Sequence, residues 1–183
     1  MPPYSVCVFC GSRFGRFSTY KDSATELGEA LAKNDMRLVY GAGDVGLMGA
    51  VANATQRANG ETFGVIPVHL LNQEVGKRDL NSFIITETMH ERKKVMFMNA
   101  DAIVTLPGGA GSLDELFEVL TWRQLGLHNK PVYLLNVNGF WDPLLALLDH
   151  VIDEGFADPS FKKSLQVVSD VPELMRRLRA ERS

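Results

Sequence analysis

One stretch restricts the folds open to this chain more than any other: residues 102–122, AIVTLPGGAGSLDELFEVLTW. Ala102 to Leu106 is a short apolar, β-branched run that suits a buried strand. Pro107-Gly108-Gly109-Ala110-Gly111 cannot continue that strand and gives the backbone freedom to turn. Ser112 then reads as a helix N-cap, with Leu113, Leu116, Phe117 and Leu120 as the inward stripe of the helix. Strand, glycine turn and helix start together aim backbone N–H groups and the positive end of a helix dipole at an anion, most often a phosphate. Two acids, Asp114 and Glu115, fall in what reads as the first turn of that helix. A simple phosphate seat does not call for them.

The same alternation runs along the whole chain. Strand-like runs at 6–9, 38–40, 62–66, 83–86, 131–135 and 165–168 alternate with helical patterns. The helices are expected near 18–34 (Leu27, Ala30 and Leu31 inward), after GAGDVGLMG through about 58, at 89–99, at 142–154 and from Val171. About seven strands with intervening helices predict a doubly wound, Rossmann-like parallel sheet with helices on both faces, in a single α/β domain over 1–183. Ligands in such folds bind beyond the carboxyl ends of the strands, near a topological switch point. The glycine-bearing turns Gly11-Ser12, Gly41–Gly46 and Gly108–Gly111 should therefore meet at one edge. The connection 67–82 has no clear element of its own, although Leu70, Leu71 and Val75 fit a short turn. A lid and a packed surface loop both suit it.

Composition narrows the function classes. Charged residues are 22% and hydrophobic ones 45% of 183, a globular balance. The net charge of −3 argues against general nucleic-acid or membrane-surface binding. No apolar run nears the ~20 residues of a membrane span, and Met1–Tyr4 leads into a strand without a basic, apolar leader. A soluble, cytoplasmic protein is the expectation. Cys7 and Cys10 have redox or metal-site spacing, but a three-residue offset on a strand puts them on opposite faces. Without a second pair to complete a metal site, they read as buried thiols, and no metal is expected.

Gly41-Ala42-Gly43-Asp44-Val45-Gly46 is a literal G-x-G-x-x-G between strand and helix, the dinucleotide fingerprint. That fingerprint also needs an acid at the carboxyl end of the next strand, to hold a ribose diol. Glu61 has the spacing but precedes the run 62–66, and the carboxyl end reads Pro67-Val68-His69. NAD and FAD are not expected. In Met89–Met98, Arg92 shares the face of Val95 and Met96, so its guanidinium needs a partner. A snorkelling side chain or structural ion pair is one reading; a ligand clamp, favoured by position at the sheet edge, is the other. His90 reads as structural or supporting. Ser112-Leu113-Asp114-Glu115 fits the capping box S-x-x-E, in which Glu115 merely reaches back to the N-cap amide. If the glycine turn and Arg92 share one pocket, Glu115 instead faces a sugar, because a carboxylate repels phosphate.

Taken together, PGGAGSLDE (107–115), MHERKK (89–94) and YGAGDVGLMG (40–49) resemble the three motifs of the Lonely Guy (LOG) family. CVFCGS near the start and TWRQLGLHNKPVYLLNVNGFWDPLL extend the resemblance to nearly the whole chain. Its members are cytokinin riboside 5′-monophosphate phosphoribohydrolases, long labelled lysine decarboxylases. The resemblance implies a nucleotide-binding fold that hydrolyses purine riboside 5′-monophosphates, AMP included, to free base and ribose 5-phosphate. It places catalysis on Arg92 and Glu115. Substrate contacts map onto Glu74, Lys93, Gly108, Gly109, Ala110, Gly111, Ser112, Leu113, Asp114 and Thr121, with Gly11, Ser12 and Gly43 from the other glycine turns. It also implies no cofactor, and a homodimer or larger homo-oligomer. Two positions depart from the family pattern: Ser112 replaces Thr and keeps the hydroxyl, and Ala42 replaces a glycine. Pyridoxal phosphate chemistry is not expected, since Lys93 and Lys94 are the only lysines near the pocket and read as solvated, phosphate-attracting residues. The competing reading is a non-catalytic nucleotide or molybdenum-cofactor carrier of the same fold, which would not need Arg92 and Glu115 together.

Overall fold

The structure, a computed structural model, describes residues 3–71 and 76–182. Among them seven strands form one sheet: β1 (Tyr4–Phe9), β2 (Met36–Tyr40), β3 (Thr62–Pro67), β4 (Ser82–Thr86), β5 (Ala102–Thr105), β6 (Val132–Leu135) and β7 (Gln166–Val168). Helices α1 (Ser18–Lys33), α2 (Gly46–Arg57), α3 (Met89–Met98), α4 (Ala110–Gln124), α5 (Asp142–Asp153) and α6 (Val171–Arg182) join and follow them. Every strand pairing is parallel. The order is β4-β3-β2-β1-β5-β6-β7.

Both faces of the sheet are covered along its central strands, which is why these are near-continuous apolar runs rather than alternating ones. Val6, Val8, Leu38, Tyr40 and Val104 pack against α1, α2 and α6 on one face. Cys7, Phe9, Val39, Ile103 and Leu134 pack against α3, α4 and α5 on the other. The two cysteines do part as their spacing demands, Cys7 into one core and Cys10 into the other, both as free thiols. Burial, and after it the charge of Glu115, pushes the Cys7 thiol well above its ordinary range, leaving it inert. Trp141 is core, and Leu174 and Leu178 face inward from α6. No helix among the described residues is long and apolar enough to cross a membrane.

The chain steps from β1 outward to β4, then returns to lay β5 on the free side of β1. β1 and β5 are therefore neighbours, Val6 beside Ala102 and Phe9 beside Thr105, yet their connections leave toward opposite faces. That is the switch point, where a crevice opens at the carboxyl edge.

The start of α4 differs from the sequence expectation. α4 begins at Ala110, with extended Gly109 as N-cap and no side-chain cap, so Ser112 is not the cap. A Cβ on Gly108 would overlap Ser112 Oγ; the bare glycine lets the helix begin three residues earlier. Asp114 and Glu115 then lie beyond the first turn, and the capping-box reading of Glu115 fails. A true capping box sits instead at α3: Thr88 Oγ1 accepts from Glu91 N (3.2 Å) and Glu91 Oε2 accepts from Thr88 N (3.2 Å). Such a cap is worth about 1 kcal/mol, and it seats the helix that carries Arg92.

Candidate active site

A cavity of about 450 Å³ lies across the switch point. The three glycine turns converge there as expected. Gly11 N donates to Pro107 O (3.0 Å), tying the turn after β1 to the turn after β5. Leu47 N donates to Gly11 O (3.0 Å), tying the first turn of α2 to the same point.

The floor is the start of α4. Gly108, Gly109, Ala110, Gly111 and Ser112 all line the cavity, and a Cβ on Gly109 or Gly111 would meet nothing within 4 Å. The first amides of a helix have no intrahelical acceptor, and here no cap side chain satisfies them. Together with the dipole, such an open helix start is able to receive an anion. Glu115, half-buried and further along α4, lines the same cavity, as do Gly11 and Ser12.

Arg92 forms part of the opposite wall. It is only 3% exposed, which excludes the snorkelling reading. Its Nε donates to Val65 O (3.1 Å) and its Nη2 to Gly41 O (2.7 Å). The carbonyls of Gly41, just after β2, and of Val65, within β3, thus fix the guanidinium in the cavity wall. A Cβ on Gly41 would overlap Nη2 and stand 2.9 Å from Cζ. The first glycine of the G-x-G-x-x-G therefore makes room for an arginine rather than a pyrophosphate. The last, Gly46, has φ +56°, and a Cβ there would overlap the Ser12–Arg13 peptide. Ala42 itself holds a left-handed φ of 57°, the strain its departure from glycine implies. Glu61 lies at the amino end of β3, 3.7 Å from Arg37, remote from any ribose. Nothing here resembles a dinucleotide site.

Other expected contacts lie elsewhere in the isolated chain. Lys93 is buried and its ammonium pairs with Asp114 (3.0 Å) and Glu118 (2.7 Å), so it is not a solvated lysine. Burial opposes its charge, but the hydrogen bonds to Glu118 and Asp114 prevail and hold its pKa above the ordinary lysine value. This pair clamps α3 to α4 and so keeps Arg92 and Glu115 on facing elements. Leu113 packs against the adjoining core, Thr121 is exposed near the far end of α4, and His90 is exposed. Gly43 is buried and bridged to Gly76. Glu74 and Val75 lie outside the described residues. The described part of the connection 67–82 is tied down at points, although Val68, His69, Arg78 and Asp79 are exposed: Lys77 N donates to Ala42 O (2.8 Å), and Leu70 reaches the cavity. Sequence reasoning missed Arg13, Phe14, Tyr20, Met48 and Phe140, which also line the cavity. Only Arg13-Phe14, directly after Gly11-Ser12, carried a signal that could have been read.

Fold and site together define a Rossmann-like α/β protein with an uncapped helix start opening into a cavity at the switch point. Among solved structures, the molybdenum cofactor binding protein of Rippkaea orientalis shares that fold, with TM-score 0.77 and 20% identity over 100% of this chain and 99% of that one. The molybdenum cofactor carrier protein of Chlamydomonas reinhardtii gives 0.74 and 19% over 98% of each. A family model described as "Possible lysine decarboxylase" matches residues 48–178. The cytokinin riboside 5′-monophosphate phosphoribohydrolase LOG2 of Arabidopsis thaliana is 43% identical over 94% of this chain and 81% of its own. The enzyme LOG of Oryza sativa subsp. japonica, of the same name, is 44% identical over 94% of this chain and 72% of its own. The chain belongs to this Lonely Guy family.

Proposed function

We propose that this chain is a phosphoribohydrolase that hydrolyses the N-glycosidic bond of purine riboside 5′-monophosphates, AMP and prenylated AMP among them. The observation that carries the reading is the meeting of Arg92, Glu115 and the uncapped start of α4 in one cavity. The amides of Ala110–Ser112 and the Ser112 hydroxyl receive the phosphate. The sugar then lies toward Glu115, whose charge phosphate would repel. Water adds to the anomeric carbon as its bond to the base nitrogen breaks; one proton leaves the water and one arrives on the departing base. Oxocarbenium-like charge develops on the ribose, by analogy with glycosidases. Glu115 stabilises that charge or takes the water's proton. Arg92, pinned by Gly41 O and Val65 O, keeps the reacting groups in register.

Free adenine from AMP and free base from isopentenyladenosine monophosphate are the products to assay, with melting temperature recorded in parallel. Glu115→Gln and Arg92→Ala should each lower the rate by about 100-fold or more. Near-normal turnover in either variant removes that residue from the mechanism. A carrier would bind AMP and release no base. The same reading takes the enzyme as a cytoplasmic homo-oligomer. Met98, Leu125 and Leu127, exposed at the ends of α3 and α4, support self-association.

A further inference from the structure

Two arginines line the cavity, and the G-x-G-x-x-G turn seats both. Gly41 makes room for the guanidinium of Arg92, and Gly46 for the backbone of Arg13. Beyond that they differ. Arg92 is buried and bonded to two carbonyls, so it cannot swing to meet a ligand without breaking those bonds. Arg13 is anchored through its main chain: Gly11 is bonded to Pro107 O and to Leu47 N, and Gly46 packs against the Ser12–Arg13 peptide. Its side chain is exposed, and no hydrogen bond or ion pair holds it among the described residues. Gly11, two residues before it, is close-packed on the anion seat, where a Cβ would stand 3.3 Å from Gly108 Cα.

We infer that Arg13 is the phosphate-discriminating residue of this site, closing over the 5′-phosphate opposite the α4 amides and setting the preference for nucleoside monophosphates over nucleosides. The inference rests on the proposed hydrolase reading for its substrate. Its physical basis is separate. A guanidinium meets a phosphate with two parallel donors, a stronger contact than neutral hydrogen bonds from amides and a hydroxyl can make. An exposed, unbonded cation on a fixed backbone also lets the site bind and release a charged product without disturbing the buried Arg92.

The test compares wild type, Arg13→Ala and Arg13→Lys on AMP and adenosine, by base release and by the thermal shift each ligand produces. Arg13→Ala should raise KM for AMP about tenfold to a hundredfold, with kcat and the melting temperature of the free protein near wild type. Adenosine binding and turnover should not change. Arg13→Lys should recover part of the loss, and raising the salt concentration should weaken AMP binding less in Arg13→Ala than in wild type. An Arg13→Ala enzyme with wild-type KM for AMP, or one equally impaired on adenosine, overturns the inference while leaving the hydrolase reading intact. If wild type releases no base, the hydrolase reading fails and the thermal shifts decide alone. Arg13 stands if its removal abolishes the advantage of AMP over adenosine, and falls if that advantage persists.

Discussion

The turns 41–46 and 108–111 look alike in sequence and serve opposite ends. In the first, the space at Gly41 and Gly46 is already taken by the protein, by the Arg92 guanidinium and by the Ser12–Arg13 peptide. In the second, Gly109 and Gly111 face open space at the mouth of an uncapped helix. A glycine pattern reports that something approaches the backbone closely; it does not say whether that something is another part of the chain or a ligand. Here the fingerprint that most resembles a nucleotide site is an internal packing device. The less regular turn is the candidate ligand seat.

Substituting one glycine in each turn breaks the comparison most directly. Gly41→Ala should have the largest effect, because its Cβ must expel a buried guanidinium from two carbonyls. A loss of about 3 kcal/mol is expected, read as a fall in melting temperature, with base release all but abolished. If Gly41→Ala is as stable as wild type, the closed character of that turn is wrong. Gly109→Ala should do the reverse. At φ −102° an L-residue fits, so stability should stay within about 0.5 kcal/mol. A methyl group at the mouth of the seat should still raise KM for AMP about tenfold. Steady-state kinetics beside thermal melts would show it, and an unchanged KM would mean the phosphate sits elsewhere.

A smaller effect should come from pH, at the far end of the helix that forms the open turn. Lys130 N donates to His128 Nδ1 (3.1 Å), which assigns the proton to Nε2 and the bond from there to Val119 O (2.8 Å). Burial lowers the His128 pKa below its ordinary 6.5. The folded state therefore binds fewer protons than the unfolded one, and this contribution to stability, present above 6.5, is lost as the pH falls. Protonation at Nδ1 removes the acceptor that Lys130 N uses. Thermal melts between pH 7.5 and 5 should fall less in His128→Gln than in wild type; parallel curves would clear His128 of the role.

Much of the fold was legible because burial on both faces leaves a central parallel strand few polar positions to mislead. The runs at 62–66 and 102–106 sit within a residue of β3 and β5, and Val171 opens α6 as expected. The start of α4 was not legible, because Ser112 and Glu115 satisfy a local capping rule that the contact between Gly108 and Ser112 overrides. The true capping box at Thr88–Glu91 has the same spacing in sequence, and local pattern alone did not separate the two. Lys93 was misread for a related reason: its partners Asp114 and Glu118 are on α4, far away in sequence.

By itself the sequence determined the alternating elements, the parallel sheet and the three glycine turns at its carboxyl edge. These follow from hydrophobic period and from where a chain can bend, both local properties. Its motifs also identified the family. Only the tertiary structure decided which glycines are filled and which are open, and that Arg92 rests on Gly41 O and Val65 O while Arg13 stays unbound among the described residues. Those outcomes depend on distances between segments tens of residues apart. Close approach is a property of the packed whole, and no local pattern encodes it.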